Sequence, residues 1–184
     1  MSTSLDRVRE HLLEHSIKRG QFTLKSGRSS NLFVDSKMTI CAPEVMVDLA
    51  QCVLEKIPST TTAIGGLTMG ADGVAYITAA VAATQGRLLR AFSVRKETKD
   101  HGAGGRIAGL LLPLDNVVIT EDTVTRGRSL IEAADVVEAA GGRVLGLLSV
   151  VDRGGAVAAI AKARGYEFWT LFSAPDLGFE YEGA

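Results

Sequence analysis

From residue 62 to residue 171 the chain alternates between short apolar runs and amphipathic stretches. A strand at 62–66 is followed by a helix at about 71–84, a strand at 88–95, a glycine-rich loop and a strand at 116–121. A helix at 129–140, a strand at 143–151, a helix at 155–164 and a strand at 166–171 complete the series. Strands and helices in strict succession form βαβ units, and such units build a parallel sheet flanked by helices. The expected fold class is therefore α/β. Val117, Val118 and Ile119 form the kind of continuous β-branched run that suits a strand buried on both faces. A chain of 184 residues, 46% of them hydrophobic, can fill one substantial core and is too short for two enzyme domains. A single domain spanning 1–184 is expected, with its core over about 41–171.

The first 40 or so residues do not fit the alternation. Leu5, Val8, Leu12 and Leu13 predict an amphipathic helix over 4–18 that ends before Gly20. Short strands around 22–24 and 32–35 follow, joined by a polar turn at 26–30. Pro43 suits a first helical position, and Met46, Leu49, Ala50, Val53 and Ile57 keep helical spacing after it. Residues of about 1–40, with the C-terminal tail, are expected to form a small hood lobe over the strand ends.

Charge and cysteine content narrow the function classes. A net charge of −1 and a pI near 6.3 give no global field for nucleic acid or an anionic membrane, so any basic site must be local. Cys41 and Cys52 match no zinc or redox spacing and read as buried thiols in a reducing cytoplasm. The N-terminus lacks an apolar secretory core, and no apolar run reaches bilayer-spanning length, so a cytoplasmic protein is expected. His11 and His15, at i and i+4 on the first helix, could in principle ligate a metal, but an exposed helical face explains them. No metal ligand is assigned directly.

Two segments carry chemistry. In the first, the strand over 117–119 runs into Glu121 and Asp122, then a turn of Thr123, Val124, Thr125, Arg126, Gly127 and Arg128, then Ser129 as a plausible cap of the next helix. Backbone N–H groups of 125–129 at a helix N-terminus favour an anion. Two carboxylates beside an anion cradle are tolerable only if they address something else, such as ribose hydroxyls or magnesium. Neither a nucleoside triphosphate loop nor a dinucleotide fingerprint occurs at this strand. In the second segment, Arg87, Arg90, Arg95, Lys96, Lys99 and Arg106 stand against only Glu97 and Asp100. With Gly102, Gly104 and Gly105 they suggest a mobile loop that closes on a polyanion.

The stretch 117–129 resembles the phosphoribosyl diphosphate motif of the type I phosphoribosyltransferases. Residues 95–102, with Arg95, Lys96, Glu97, Lys99, Asp100, His101 and Gly102, resemble the loop signature of the orotate phosphoribosyltransferases. Phe22, Leu24, Ser26 and Gly27 resemble that family's N-terminal segment, and Asp152-Arg153 its Asp-Arg pair. The resemblance implies a type I phosphoribosyltransferase-like sheet with a hood, and transfer of phosphoribosyl from 5-phosphoribosyl 1-diphosphate to orotate. It implies that Glu121 and Asp122 hold the ribose hydroxyls and that residues Thr123 to Ser129 hold the 5′-phosphate. Lys25, Arg95, Lys96, Lys99 and His101 then meet the diphosphate, with Lys99 and Asp100 in the catalytic role. Orotate falls to Phe33, Thr125 and Arg153, whose planar fork suits a carboxylate. Mg2+ is implied as cofactor, and a homodimer with loop 95–105 shared between subunits as the assembly. Two positions depart from the family pattern: Arg126 within the turn, and Met69, where some members carry a lysine that touches diphosphate. Two readings stay open beside this one: a phosphoribosyltransferase for another base, or a phosphoribosyl-diphosphate-sensing regulator without catalysis.

Overall fold

The computed structural model describes residues 2–23, 29–99 and 105–182. Helix α1 (Ser4–His11) opens on a reciprocal cap, in which the Thr3 hydroxyl accepts from the Asp6 N–H and the Asp6 carboxylate accepts from the Thr3 N–H. It then widens into a π turn (Leu12–Ser16). The sequence predicts helix to 18, but the chain leaves it at Ile17 to begin strand β1 (Ile17–Thr23). The reason is local: the Ser16 carbonyl accepts from the Asp35 N–H at 2.8 Å and the buried Ser16 hydroxyl bonds Thr39 at 2.6 Å. Ile17 is thereby delivered to Val34 of strand β2 (Ser29–Val34), and the two strands form an antiparallel pair.

A short helix α2 (Lys37–Ile40), which the spacing of apolar residues does not signal, joins this pair to helix α3 (Met46–Lys56). Helix α3 starts three residues beyond Pro43, because Ala42 first closes a turn onto Val45 and Met46. The remaining elements follow the predicted alternation closely. They are β3 (Ala63–Leu67), α4 (Gly70–Thr84), β4 (Arg90–Lys99), β5 (Gly105–Gly109), β6 (Asn116–Val124), α5 (Arg128–Ala139), β7 (Arg143–Asp152), α6 (Val157–Ala163) and β8 (Glu167–Ser173). The strand order is β5-β4-β3-β6-β7-β8. All neighbours run parallel except β5, which returns antiparallel along β4 within the segment expected to be loop. The sheet is thus mixed at one edge, where an antiparallel strand can be reached by a hairpin without a crossover helix.

Alternating residues of β6 feed two cores. Val118 faces α3 and α4 together with Ile64, Leu49, Val53 and Val74. Val117 and Ile119 face α5 and α6 with Ala63, Leu130, Val137 and Val157. Val8 and Leu12 of the N-terminal segment and Leu177 near the C-terminus join the first of these cores. Cys52 is buried, and that burial pushes its thiol up to about 11, whereas Cys41, expected to be buried, is exposed.

The order places a reversal between β3 and β6: the chain builds outward from β3 to β4 and β5, then returns to the other side of β3. At such a switch point the crossover helices leave opposite faces and open a crevice at the carboxyl ends of the strands. Close approach of β3 to its neighbours is permitted by glycine. A Cβ on Gly66 would lie 2.2 Å from the Thr120 carbonyl oxygen, and one on Gly65 2.3 Å from that of Phe92. Gly66→Ala must therefore push β3 from β6. A destabilisation of about 2 kcal/mol or more, or roughly 4–8 °C in Tm, is expected in thermal unfolding, and an unchanged Tm would refute the packing argument.

Candidate active site

Glu121 and Asp122 lie in the last turn of β6's path, at the crevice, and are 6% and 7% exposed. Their companion across the crevice is the start of α4. A Cβ on Gly70 would fall 1.7 Å from Glu121 Oε1 and 2.8 Å from Asp122 Oδ1, so the carboxylates occupy the space a side chain would need there. The positive end of the α4 dipole faces them.

The two carboxyl groups are held in different states. Burial alone raises Asp122, but the Lys37 ammonium at 2.6 Å and the Ser36 hydroxyl at 2.8 Å, both on Oδ2, bring it below the usual carboxylate range. The Thr123 N–H adds a bond to Oδ1 at 2.7 Å. Glu121 forms no ion pair among the described residues. Burial and the neighbouring Asp122 charge push it up to about 8, against the opposing hydroxyl of Ser129. The two carboxyls are thus pushed apart, Glu121 upward and Asp122 downward.

Beyond Val124 the chain turns through Thr125 and an exposed Arg126 to Gly127, whose φ of +66° is left-handed. Gly127, not Ser129, occupies the cap position of α5, and no side chain caps that helix. Ser129 sits inside the first turn and faces Glu121 instead. The first-turn N–H groups are thus left for an anion. The turn is buttressed from β7: Arg153 N–H donates to the Val124 carbonyl at 2.7 Å, and a Cβ on Gly154 would meet the Thr125 carbonyl at 1.9 Å. Asp152 orders that buttress by accepting from the N–H groups of Gly154 and Gly155, both at 3.0 Å.

Arg153 lies beside the turn and holds a carboxylate, that of Glu182 from the C-terminal tail. Its Nε is buried without a hydrogen-bond partner among the described residues. Phe33 is 38% exposed on β2, its ring 5.7 Å from that of Phe22. Arg95 is half-buried, donating to the Ile107 carbonyl at 3.3 Å, and Lys96 is exposed. Lys99 closes β4, while Lys25, Asp100 and His101 lie outside the described residues. Part of the basic window is structural. Arg90 pairs with Asp115, Arg106 with Glu132, and Arg87 donates to the Pro58 carbonyl. His11 bonds Thr39 at 3.0 Å and its ring stacks near His15.

Sequence reasoning missed a polar brace on the β3–α4 turn. Asp72 accepts from Thr68 at 2.7 Å and from Ser93 at 2.5 Å, and Ser93 in turn meets the Tyr76 hydroxyl at 2.6 Å. Met69, in the same turn, is 71% exposed. A Thr and an Asp flanking a Met-Gly-Ala stretch at a strand-to-helix turn were the available signal. Ser36 and Lys37 were missed as well, since their partner is 85 or more residues away.

No protein-family profile matches the chain. It is, however, 34% identical over 183 residues to the orotate phosphoribosyltransferase of a Nostoc species, spanning 99% of this chain and 89% of that one. The chain belongs to the orotate phosphoribosyltransferase family. The family's member from Rhodopseudomonas palustris is 38% identical over 181 residues, 95% of this chain and 96% of that one. Among solved structures, the family's Mycobacterium tuberculosis enzyme in complex with Fe(III) dicitrate superimposes with a TM-score of 0.82 at 32% identity, covering 96% of this chain and 99% of that one. The same enzyme in complex with 5-phospho-alpha-D-ribosyl 1-diphosphate gives 0.79 at 29%, with the same coverage. The adenine phosphoribosyltransferase of Leishmania tarentolae, 16% identical with a TM-score of 0.64 over 95% of this chain and 89% of that one, shares the fold.

The upward shift of Glu121 has a measurable consequence. With a folded value of about 8 against an ordinary 4.5, the folded protein retains a proton that the unfolded chain loses, so this group's stabilisation is complete below 4.5 and lost as pH rises through about 8. Asp122 works in the opposite sense, its contribution disappearing only as pH falls below the ordinary carboxylate range. Glu121→Gln should abolish the first dependence, so that its Tm, measured from pH 5 to 9, gains several degrees on the parent at the alkaline end. Parallel curves would mean that Glu121 is ionised throughout.

Proposed function

We propose that the chain transfers the phosphoribosyl group of 5-phosphoribosyl 1-diphosphate to orotate, giving orotidine 5′-monophosphate and pyrophosphate in de novo pyrimidine biosynthesis. One observation carries the reading: two buried adjacent carboxyls, Glu121 and Asp122, stand at the mouth of a helix N-terminus that no side chain caps, at the switch point of the sheet. That combination suits a ribose 5-phosphate. The phosphate takes the N–H groups of the turn from Thr125 to Ser129, and the ribose hydroxyls donate to the acidic pair.

In the reaction the bond from the anomeric carbon to diphosphate breaks with its electron pair going to the leaving group, and a bond from that carbon to the orotate ring nitrogen forms. The ring nitrogen gives up its proton, which the departing diphosphate oxygens accept. Charge grows on the departing diphosphate, and fixed cations aimed at it lower the barrier. Arg95, Lys96, Lys99 and His101 are the assigned cations, with Lys99 and Asp100 providing catalytic charge or proton support. Lys25 belongs to the same subsite. Arg153 takes the carboxylate of orotate, and Phe33 and Thr125 flank the ring.

Among the described residues no cluster of three or more His, Cys, Asp or Glu side chains could hold a metal ion. Burial pushes Glu121 up and Asp122 is engaged by Lys37, so the donor set fits magnesium carried on the hard oxygens of diphosphate and ribose. Magnesium then supplies neutralisation of the diphosphate oxygens. The hairpin sits at the sheet edge opposite β7 and β8, which supports a homodimer in which loop 95–105 serves the neighbouring subunit's site. No helix among the described residues is long and apolar enough to cross a membrane, and a cytoplasmic location is proposed with the pathway.

Pyrophosphate release from phosphoribosyl diphosphate, magnesium and orotate tests the reading, with adenine, hypoxanthine and uracil as competing bases. Release with orotate alone is expected. Magnesium-dependent binding of the sugar diphosphate without turnover would overturn it in favour of a sensor. Lys99→Ala should lower kcat at least about 100-fold while changing substrate KM little, and equal losses in both would make the loop a binding device only. Arg153→Ala should raise KM for orotate about tenfold or more, the cost of a charged hydrogen bond, and leave that for the sugar diphosphate nearly unchanged. Unaltered orotate affinity would place the carboxylate elsewhere.

A further inference from the structure

Ser36 stands at the N-cap position of α2, where a serine ordinarily turns its hydroxyl back onto the first-turn N–H groups. It does not do so here. Buried to 2% exposure, it donates across the molecule to Asp122 Oδ2. The next residue, Lys37, sends its ammonium to the same oxygen at 2.6 Å while its side chain stays about half exposed. Two consecutive residues of the N-terminal segment thus converge on one oxygen of one carboxylate of β6. Neither bond is needed to end a strand or fill a core, and the serine forgoes its own helix to make one. The other titratable groups around this point, Glu121 on β6 and Asp35 beside α2, are both acids, which leaves Lys37 as the only cation acting on Asp122 among the described residues.

We propose that Lys37 is a positioning residue for the sugar substrate. Resting on the function proposed above, it works through Asp122: the ammonium, with the Ser36 hydroxyl, fixes the rotation of that carboxylate so that the ribose hydroxyls meet a preset acceptor. A carboxylate free to rotate would have to be ordered at the moment of binding, and its negative charge would stand unbalanced beside an arriving polyanion.

The test compares Lys37→Met and Lys37→Arg with the parent. Lys37→Met leaves the buried Asp122 without its cation and should lower Tm, which Lys37→Arg should restore, so the positioning role is read from the split between the two KM values rather than from Tm. For Lys37→Met, KM for phosphoribosyl diphosphate should rise about tenfold or more while KM for orotate stays within about twofold, because a hydrogen-bonded charge is lost on the sugar side only. Lys37→Arg should recover most of the loss. Titration calorimetry with phosphoribosyl diphosphate and magnesium, without orotate, should show the same order of affinities. This second readout separates two failures: no turnover by the parent sinks the proposed function, whereas parent and Lys37→Met binding the sugar diphosphate equally sinks the role of Lys37. Equal rises in both KM values, or an arginine variant as weak as the methionine variant, would likewise overturn it.

Discussion

Two adjacent carboxyl groups buried at one strand end are a liability that the rest of the fold is arranged to absorb. Each would cost several kcal/mol if buried with an uncompensated charge. The structure treats them unequally, giving Asp122 a cation, a hydroxyl and a backbone donor, while burial and the neighbouring charge push Glu121 upward. Gly70 makes the room, Gly66 allows β3 to approach β6, and the reversal of strand order opens the crevice the pair faces. Remove any of these and the acids clash with backbone, lose their shape, or face a closed sheet.

The cations divide along the same line between architecture and chemistry. Arg87, Arg90 and Arg106 belong to a basic window in the sequence, yet each is committed to a carbonyl or a carboxylate of the chain itself. Arg95 and Lys96 on β4 are left nearer the hairpin tip, half-buried and exposed. Arg153 sits between the two groups. Its guanidinium pairs with Glu182, so the protein carries its own carboxylate where an acidic substrate is proposed to bind, and exchange of one carboxylate for another avoids desolvating a naked cation.

Much of this was legible in the sequence, for reasons that differ by element. The alternation from β3 to β8 could be read because buried parallel strands are continuous apolar runs and their helices are amphipathic. The motif at 117–129 could be read because strand, acids, glycine and helix are contiguous. What escaped was set by distance or competition. Strand β5 is glycine-bounded and only half-buried, so it carries no strand pattern of its own and owes its form to pairing with β4. The N-terminal helix stopped early because Ile17 had a partner in Val34, a contact that helical periodicity does not reveal. Ser129 looked like a cap by residue type, but a left-handed Gly127 took that position and freed the hydroxyl to face Glu121. Lys37 and Asp122 could not be joined without the fold.

Helix α2 has four residues and no side-chain cap, because Ser36 is turned away from it. So short a helix has almost no stability of its own and persists through what its ends hold. Local opening of this segment and release of Asp122 are therefore one event. Protection of the α2 amides against hydrogen exchange becomes a gauge of how well the proposed sugar subsite is formed, and a ligand that engages Asp122 would tighten a turn of chain it never touches.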